Sequence, residues 1–389
     1  MNTKLMLNAR IWLHFVVSRV IYLAAAAFTE IIVLSGNLNK SPFQGFLPWP
    51  SAAEWPYLFF RALFYGDSGG YWSIATNGYE KGPFTYKLAN WAFFPLYPEL
   101  VALFGLNQWV GILISNLCTL LAVLILHNLL MKRYSSLLAD RVAILMLYFP
   151  FSYHLSVFRP EGLLLLLIVL TYVFSLQHNW GLAGLCGFLA ALTKAEGLSA
   201  AILIAYGYLA SINFQWRRIR LGSIATLGPF AGIALFSLYL WNITGNPFAW
   251  LDVRLAWAQT IRFPWTAITA YLSQPWFIDY GGWNLAAINW LVMTLSLVTA
   301  GYLFARSIRK RNHEELGLGV FSLLFILAIM TTAGTINFGR YALTVFPLFI
   351  VWGELMERDL LFEAVLVGFA GLLALFGAWM GLGLNAVMV

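Results

Sequence analysis

A chain of 389 residues that is 61% hydrophobic and only 10% charged cannot hide its apolar side chains in one water-soluble core, and its place is in a membrane. The formal net charge of +7 is not gathered into a basic stripe, which argues against a nucleic-acid partner. Both cysteines, Cys118 and Cys186, fall in apolar stretches and give no basis for a disulfide framework or a metal cluster.

From the N-terminus, Lys4 and Arg10 precede an apolar stretch at 11–34, which is too long for the core of a signal peptide. A retained anchor is expected there, although "AAAA" at 24–27 has the composition of a cleavage site. At roughly 20 residues per span, shorter beside an enclosed cavity, further spans fall at 107–130, 142–157, 160–176, 181–193, 197–212, 221–241, 284–305, 316–333, 341–356 and 361–384. The expectation is therefore an all-α, polytopic, single-domain membrane protein over 1–389 with about eleven helices. With the N-terminus in the cytoplasm, the inner connections receive Lys132, Arg133, Arg141, Arg217, Arg218, Arg220, Arg306, Arg309, Lys310, Arg311 and Arg358, as the positive-inside rule requires. Two long connections, 35–106 and 242–283, then lie outside, so chemistry is expected to face outward. Within the first, "WPYLFFRALF" reads as a short helix in the membrane interface. The 17 Trp, 18 Tyr and 31 Phe fit aromatic belts and also a cavity that binds sugar rings.

In the first outer connection, "YGDSGGYWSIATNGY" sets Asp67 among Gly66, Gly69 and Gly70, followed by Tyr71. Two roles fit Asp67. It could be a general base that a substrate hydroxyl approaches closely between glycines, or it could cap the helix beginning at "GGYW". The connection closes with "NWAFFPLYPEL", where Pro95 and Pro98 force an irregular start and Glu99 precedes the next span. Backbone of that kind is tolerated in a membrane only against protein or a water-filled cavity. Two junctions then repeat a pattern of cation, spacer, Glu, Gly, Leu and apolar run: "FRPEGLLLLLIVL" with Arg159 and Glu161, and "LTKAEGLSAAILI" with Lys194 and Glu196. A structural role fits each junction, with Pro160 in the first turn, Glu161 on the helix dipole and Arg159 snorkelling to lipid phosphates. Their recurrence, joined by Arg340 and Tyr341 in "NFGRYALTVFPLFI", points instead to one outer cavity, because ionisable residues at membrane depth are costly and mark sites. Arg340 with Arg159 or Lys194 would hold a lipid-linked phosphate, and the neighbouring carboxylates would accept sugar hydroxyls. No cofactor is required by this logic. A divalent cation on Asp67, Glu99, Glu161 and Glu196 would be chemically sound, but no metal-ligand spacing is visible. "NIT" at 242–244 matches a glycosylation acceptor triplet.

These stretches, "YGDSGGYWSIATNGY", "NWAFFPLYPEL", "FRPEGLLLLLIVL", "ALTKAEGL" and "GRYALTVFPLF", taken in order from the first outer connection almost to the end of the chain, resemble the PIG-V-like mannosyltransferases, which have the multispanning GT-C glycosyltransferase fold. The resemblance implies a membrane transferase that moves a sugar, typically mannose, from a polyprenyl or dolichyl phosphate donor to a lipid, glycan or protein acceptor. It also implies inversion at the sugar, with Asp67 as general base, on the outer face of a prokaryotic plasma membrane or the luminal face of a eukaryotic endoplasmic reticulum. Gly66, "RPE" and "KAE" depart from residues common in that family and bear on which sugar and acceptor are used. A polyprenyl-phosphate or lipid transporter, or a non-catalytic partner of a transferase, is the alternative from composition; the outward clustering of charge favours the transferase.

Overall fold

The computed structural model describes residues 3–35, 55–86, 89–257, 259–273, 285–332 and 337–381, and every regular element among them is a helix. Parts of the two long connections, 36–54, 87–88, 258 and 274–284, lie outside the described residues, as does 382–384 of the last expected span. Helix α1 (Thr3–Ser35) leads to three short helices, α2 (Trp55–Leu63), α3 (Ser68–Asn77) and α4 (Leu96–Leu103). The centre of the chain forms α5 (Gln108–Arg133), α6 (Ser136–Tyr148), α7 (Glu161–Leu176), α8 (Trp180–Thr193), α9 (Ala200–Ser211) and α10 (Gly228–Thr244). The second long connection carries α11 (Ala249–Asp252) and α12 (Trp265–Ser273). Helices α13 (Leu285–Lys310), α14 (His313–Thr332), α15 (Phe338–Ala342), α16 (Phe346–Leu355) and α17 (Asp359–Gly381) follow.

Among the described residues, six helical stretches are long and apolar enough to cross a membrane, namely Ala9–Ile32, Gln108–Arg133, Leu221–Thr244, Ala287–Lys310, His313–Thr332 and Asp359–Gly381. The protein is an integral membrane protein. Helices α7, α8, α9 and α16 are apolar but shorter. Two of the eleven expected spans are not continuous helices. In 142–157, α6 stops at Tyr148 because Phe149 precedes Pro150 and takes an extended ψ of 133°, after which a 3-10 turn runs Ser152–Leu155. In 341–356, the chain breaks between α15 and α16 just before Pro347.

Helix α5 shows how the sequence fits lipid. Ser115 and Thr119 are wholly buried, while Leu113, Leu117 and Leu121 are about half exposed on the opposite face. That order, polar inward and leucine outward, is the reverse of a soluble helix and suits hydrocarbon on the outside. Inside the bundle, small residues let backbones meet. A Cβ on Gly162 of α7 would stand 2.4 Å from the Ser115 carbonyl oxygen of α5. On the far side α17 packs along α1, where a Cβ on Gly377 would stand 2.3 Å from the Tyr22 carbonyl oxygen. Helix starts are secured locally by Asn107, Ser135 and Asn179, whose side-chain oxygens accept from backbone N–H groups of α5, α6 and α8.

The bundle has two chemically different ends. Ser115 of α5 donates to the Arg159 carbonyl oxygen at 2.7 Å, next to the start of α7, and 18 residues later α5 ends in Lys132 and Arg133, roughly 27 Å away. Helix α13 runs the same way, from Asn289, whose side chain accepts from Gly339 N–H at 3.0 Å, to Arg309 and Lys310. The first end gathers both long connections.

Candidate functional site

The site is built from four pieces of irregular backbone that meet at this first end. Gly66 has φ +54°, which turns the chain sharply out of α2 and sets Asp67 just ahead of α3. Asp67 occupies the cap position, but its side chain makes no capping hydrogen bond, so the capping role the sequence left open is not realised. Its Oδ2 instead accepts from Arg340 Nη1 at 2.5 Å. Arg340 sits in α15, which opens at Asn337 in the left-handed conformation, φ 55°, a region Asn enters more readily than most residues.

Arg340 is the hub. Its Nε donates to Glu161 Oε1, and the same oxygen accepts from Lys194 Nζ at 3.3 Å. Lys194 lies 3.9 Å from Glu196 Oε2 and 4.5 Å above the Tyr341 ring. Glu161 is 1% exposed and Arg340 4%, whereas the Asp67 side chain keeps 18%. Charges buried this deeply are costly unless paired, and Asp67, Glu161 and Arg340 are paired with one another. At Asp67, burial pushes the carboxyl pKa up, Arg340 pulls it down, and Arg159 adds to the pull; the balance is about 2, so the group is a carboxylate. Tyr71, buried beside it, is pushed well above the usual phenol range, first by burial and then by the charge of Glu161.

A cavity of about 160 Å³ opens on these groups, lined by Asp67, Tyr71, Lys194, Glu196, Arg340 and Tyr341 together with Ala92, Phe93, Phe94, Ala195, Trp250, Arg254, Gln259 and Asn337. The expected stretch "AFF" does line it. Gly70 matters for a reason other than substrate approach: a Cβ there would stand 2.3 Å from the Phe93 ring, so the glycine seats Phe93 in the wall.

Three expected residues do not line the cavity: Glu161, which pairs with the lining residues Arg340 and Lys194, and two that lie elsewhere. Glu99 is exposed and not among the lining residues; in α4 Tyr97 and Val101 face the core, and a residue midway between them points away. Arg159 is wholly buried behind the cavity, stacked 4.7 Å from the Tyr65 ring, donating to the Tyr65 carbonyl oxygen at 3.2 Å and placed 3.1 Å from His154 Nδ1. It neither snorkels to lipid nor reaches a ligand in the cavity. The four carboxylates named for a divalent cation are thus not assembled, and among the described residues no group of three or more His, Cys, Asp and Glu is placed to hold a metal ion.

Trp250, Arg254 and Gln259 were missed by the sequence reading. Arg254 follows α11 in the second long connection and, among the described residues, its guanidinium has no carboxylate or hydrogen-bond partner. A cation on the outer side is the one sequence signal, and Arg61, Lys81, Lys87 and Arg262 share it. A second, larger cavity of about 440 Å³ lies beside the first, walled mostly by apolar side chains such as Ile202, Phe230, Leu324, Phe325 and Ile329. The two cavities share Ala195, Glu196, Trp250 and Arg254.

No family model and no curated protein matches the chain. Among solved structures the chain is similar to an oligosaccharyltransferase of Archaeoglobus fulgidus in complex with Zn and sulfate, with TM-score 0.44 and 18% identity over 94% of this chain and 52% of that one. It is similar also to the archaeal oligosaccharyltransferase AglB from Archaeoglobus fulgidus in complex with an inhibitory peptide and a dolichol-phosphate, with TM-score 0.48 and 16% identity over 94% of this chain and 55% of that one. An apo form of the Archaeoglobus fulgidus oligosaccharyltransferase gives TM-score 0.48 and 15% identity, with 94% and 55% covered. The chain spans about half the length of these structures.

Proposed function

We propose that the protein is an integral membrane glycosyltransferase of the GT-C kind, a mannosyltransferase by its sequence resemblance, that moves a sugar from a polyprenyl or dolichyl phosphate to an acceptor hydroxyl with inversion. The observation that carries this reading is the seam between the two cavities. A charged pocket holding an ionised carboxylate opens into an apolar groove, and the one lining cation without a carboxylate partner among the described residues, Arg254, stands where they join. An amphiphile with a long apolar tail, a phosphate and a sugar is divided in that same order: tail in the groove, phosphate on Arg254, sugar toward Glu196 and Asp67. Arg340, expected from sequence to hold the phosphate, is committed to two carboxylates, and its role becomes that of holding Asp67 in place.

In the transfer, the acceptor oxygen forms a bond to the anomeric carbon as the bond from that carbon to the phosphate oxygen breaks. The electron pair leaves on the phosphate, and the acceptor's proton passes to Asp67. A carboxylate with a pKa of about 2 suffices, because the attacking hydroxyl becomes strongly acidic as its oxygen gives up electron density. Phosphate is itself a good leaving group, so no partnering acid is called for. Glu196 lines the cavity and offers its carboxylate as an acceptor for a sugar hydroxyl.

The cationic ends of α5 and α13 favour the cytoplasmic side for the basic end of the bundle, which puts the Asp67 cavity outside or in the lumen. The deciding experiment is transfer of a labelled sugar from a polyprenyl-phosphate donor by the purified chain without any partner. Turnover that disappears in Asp67→Asn while donor binding persists supports the reading; donor binding without any transfer by the wild type would favour a carrier.

A further inference from the structure

At the basic end of the bundle lies another cavity, of about 390 Å³, and the proposed transfer gives it no role. It is formed where α5 and α7 end, α14 begins and the second half of α9 passes. Helix α7 separates it from the Asp67 site, since Glu161 starts that helix and Ser175 stands 14 residues further on, roughly 21 Å along the axis. The volume falls within the usual range for small-molecule pockets, which the Asp67 cavity alone does not reach.

Its lining is graded. The floor mixes leucines with two hydroxyls, Ser175 Oγ and Tyr206 OH, which are buried and have no hydrogen-bond partner among the described residues. A buried hydroxyl without a partner costs stability unless something supplies an acceptor, and here two face one cavity. Gly317 seats the Tyr206 ring: a Cβ there would stand 2.6 Å from it. At the mouth, Arg133 is ion-paired to Glu314, while His178 and His313 are exposed and packed on Trp180 and Phe214. Lys132, Arg309, Lys310 and Arg311, exposed and adjoining these elements in sequence, add positive charge near the mouth without lining the cavity.

We infer that this cavity is a binding site for an anionic glycerophospholipid of the membrane's own leaflet, with the phosphate at the His178 and His313 mouth and the ester carbonyls accepting from Ser175 and Tyr206. Two hydroxyl donors below two imidazoles, with exposed cations flanking them in sequence, match two carbonyl acceptors below a phosphate, and the leucines take the first acyl carbons. The site is independent of the Asp67 chemistry.

The test uses the full chain, purified in detergent and stripped of lipid, with binding of phosphatidylglycerol, phosphatidylcholine and glycerol 3-phosphate followed by native mass spectrometry and thermal shift. Phosphatidylglycerol is expected to bind and raise Tm, phosphatidylcholine to bind at least several-fold more weakly, and glycerol 3-phosphate to leave Tm unchanged. The double variant H178A/H313A, altered only at exposed residues, and Tyr206→Phe should each weaken phosphatidylglycerol binding roughly fivefold or more without altering Tm of the lipid-free protein by much. Equal binding of the two lipids, or unchanged binding in both variants, overturns the site. An equal response to glycerol 3-phosphate overturns the lipid and leaves a soluble phosphate ester as ligand.

Discussion

The guanidinium of Arg340 donates to Asp67 Oδ2 at 2.5 Å across 273 positions of sequence, and its Nε meanwhile holds Glu161. One cation thereby ties the first long connection to the start of α7 and to the short helix α15. Asp67 is fixed in orientation and kept ionised by the same contact.

The sharpest consequence concerns chemistry. Asp67→Asn keeps the size of the side chain and a hydrogen-bond acceptor for Arg340 but cannot take a proton. Turnover in the purified assay should fall by roughly 10²–10⁴-fold with the folded yield and donor binding retained. Near-normal turnover would remove Asp67 as the base.

A second expectation separates the two arginines. Arg254→Ala should weaken donor binding by about 10- to 150-fold, the loss of one charge-assisted hydrogen bond, with little change in thermal stability. Arg340→Ala should act on the fold, because Glu161, 1% exposed, loses its closest partner; a destabilisation on the order of 3 kcal/mol is expected. If Arg340→Ala left stability unchanged and Arg254→Ala left donor binding unchanged, the assignment would have to be reversed.

The pH dependence has a definite sign. The Asp67 pKa is depressed in the folded protein, so its stabilising contribution is complete above the ordinary carboxylate range and is lost as pH falls from about 4 through about 2. Measured against Asp67→Asn, the wild type's stability advantage should shrink across that window and not at neutral pH. In kcat/KM, which reports the free enzyme, no acid limb from this group should appear above about pH 4. A limb near pH 6 would mean that another group is the base.

Close helix contact gives a test of the scaffold. Gly162→Ala puts a methyl 2.4 Å from the Ser115 carbonyl oxygen, and α5 and α7 must separate to admit it. A loss of about 1–3 kcal/mol, read as a lowered midpoint of unfolding in detergent, is expected. Gly69→Ala, with open space at its Cβ, serves as the tolerated control.

Orientation can be checked from intact cells. A cysteine placed at exposed Lys81 should react with an impermeant thiol reagent, and one at exposed Arg218 should not. The opposite pattern would place the Asp67 cavity in the cytoplasm.

Much was legible in the sequence because hydrocarbon imposes a coarse rule. Apolar length alone identified the helix at Gln108–Arg133 and the one at Asp359–Gly381; glycines and aromatics drew attention to Asp67, and charges next to apolar runs to Glu161, Lys194, Glu196 and Arg340, which the fold brings together. Sequence also held Tyr71 and Tyr341, which do line the cavity. What it could not decide was partnership. Whether Asp67 caps a helix or meets Arg340, whether Arg159 faces lipid or packs on Tyr65, and whether Glu99 turns toward or away from the cavity depend on side-chain direction and on contacts between residues far apart in the chain. The proline at 150 divides an apolar run into a helix and a turn, a break that hydropathy averages over. Arg254 is one more cation in a loop until the fold sets it at the seam of two cavities, because a pocket is a property of packed surfaces and no local pattern encodes it.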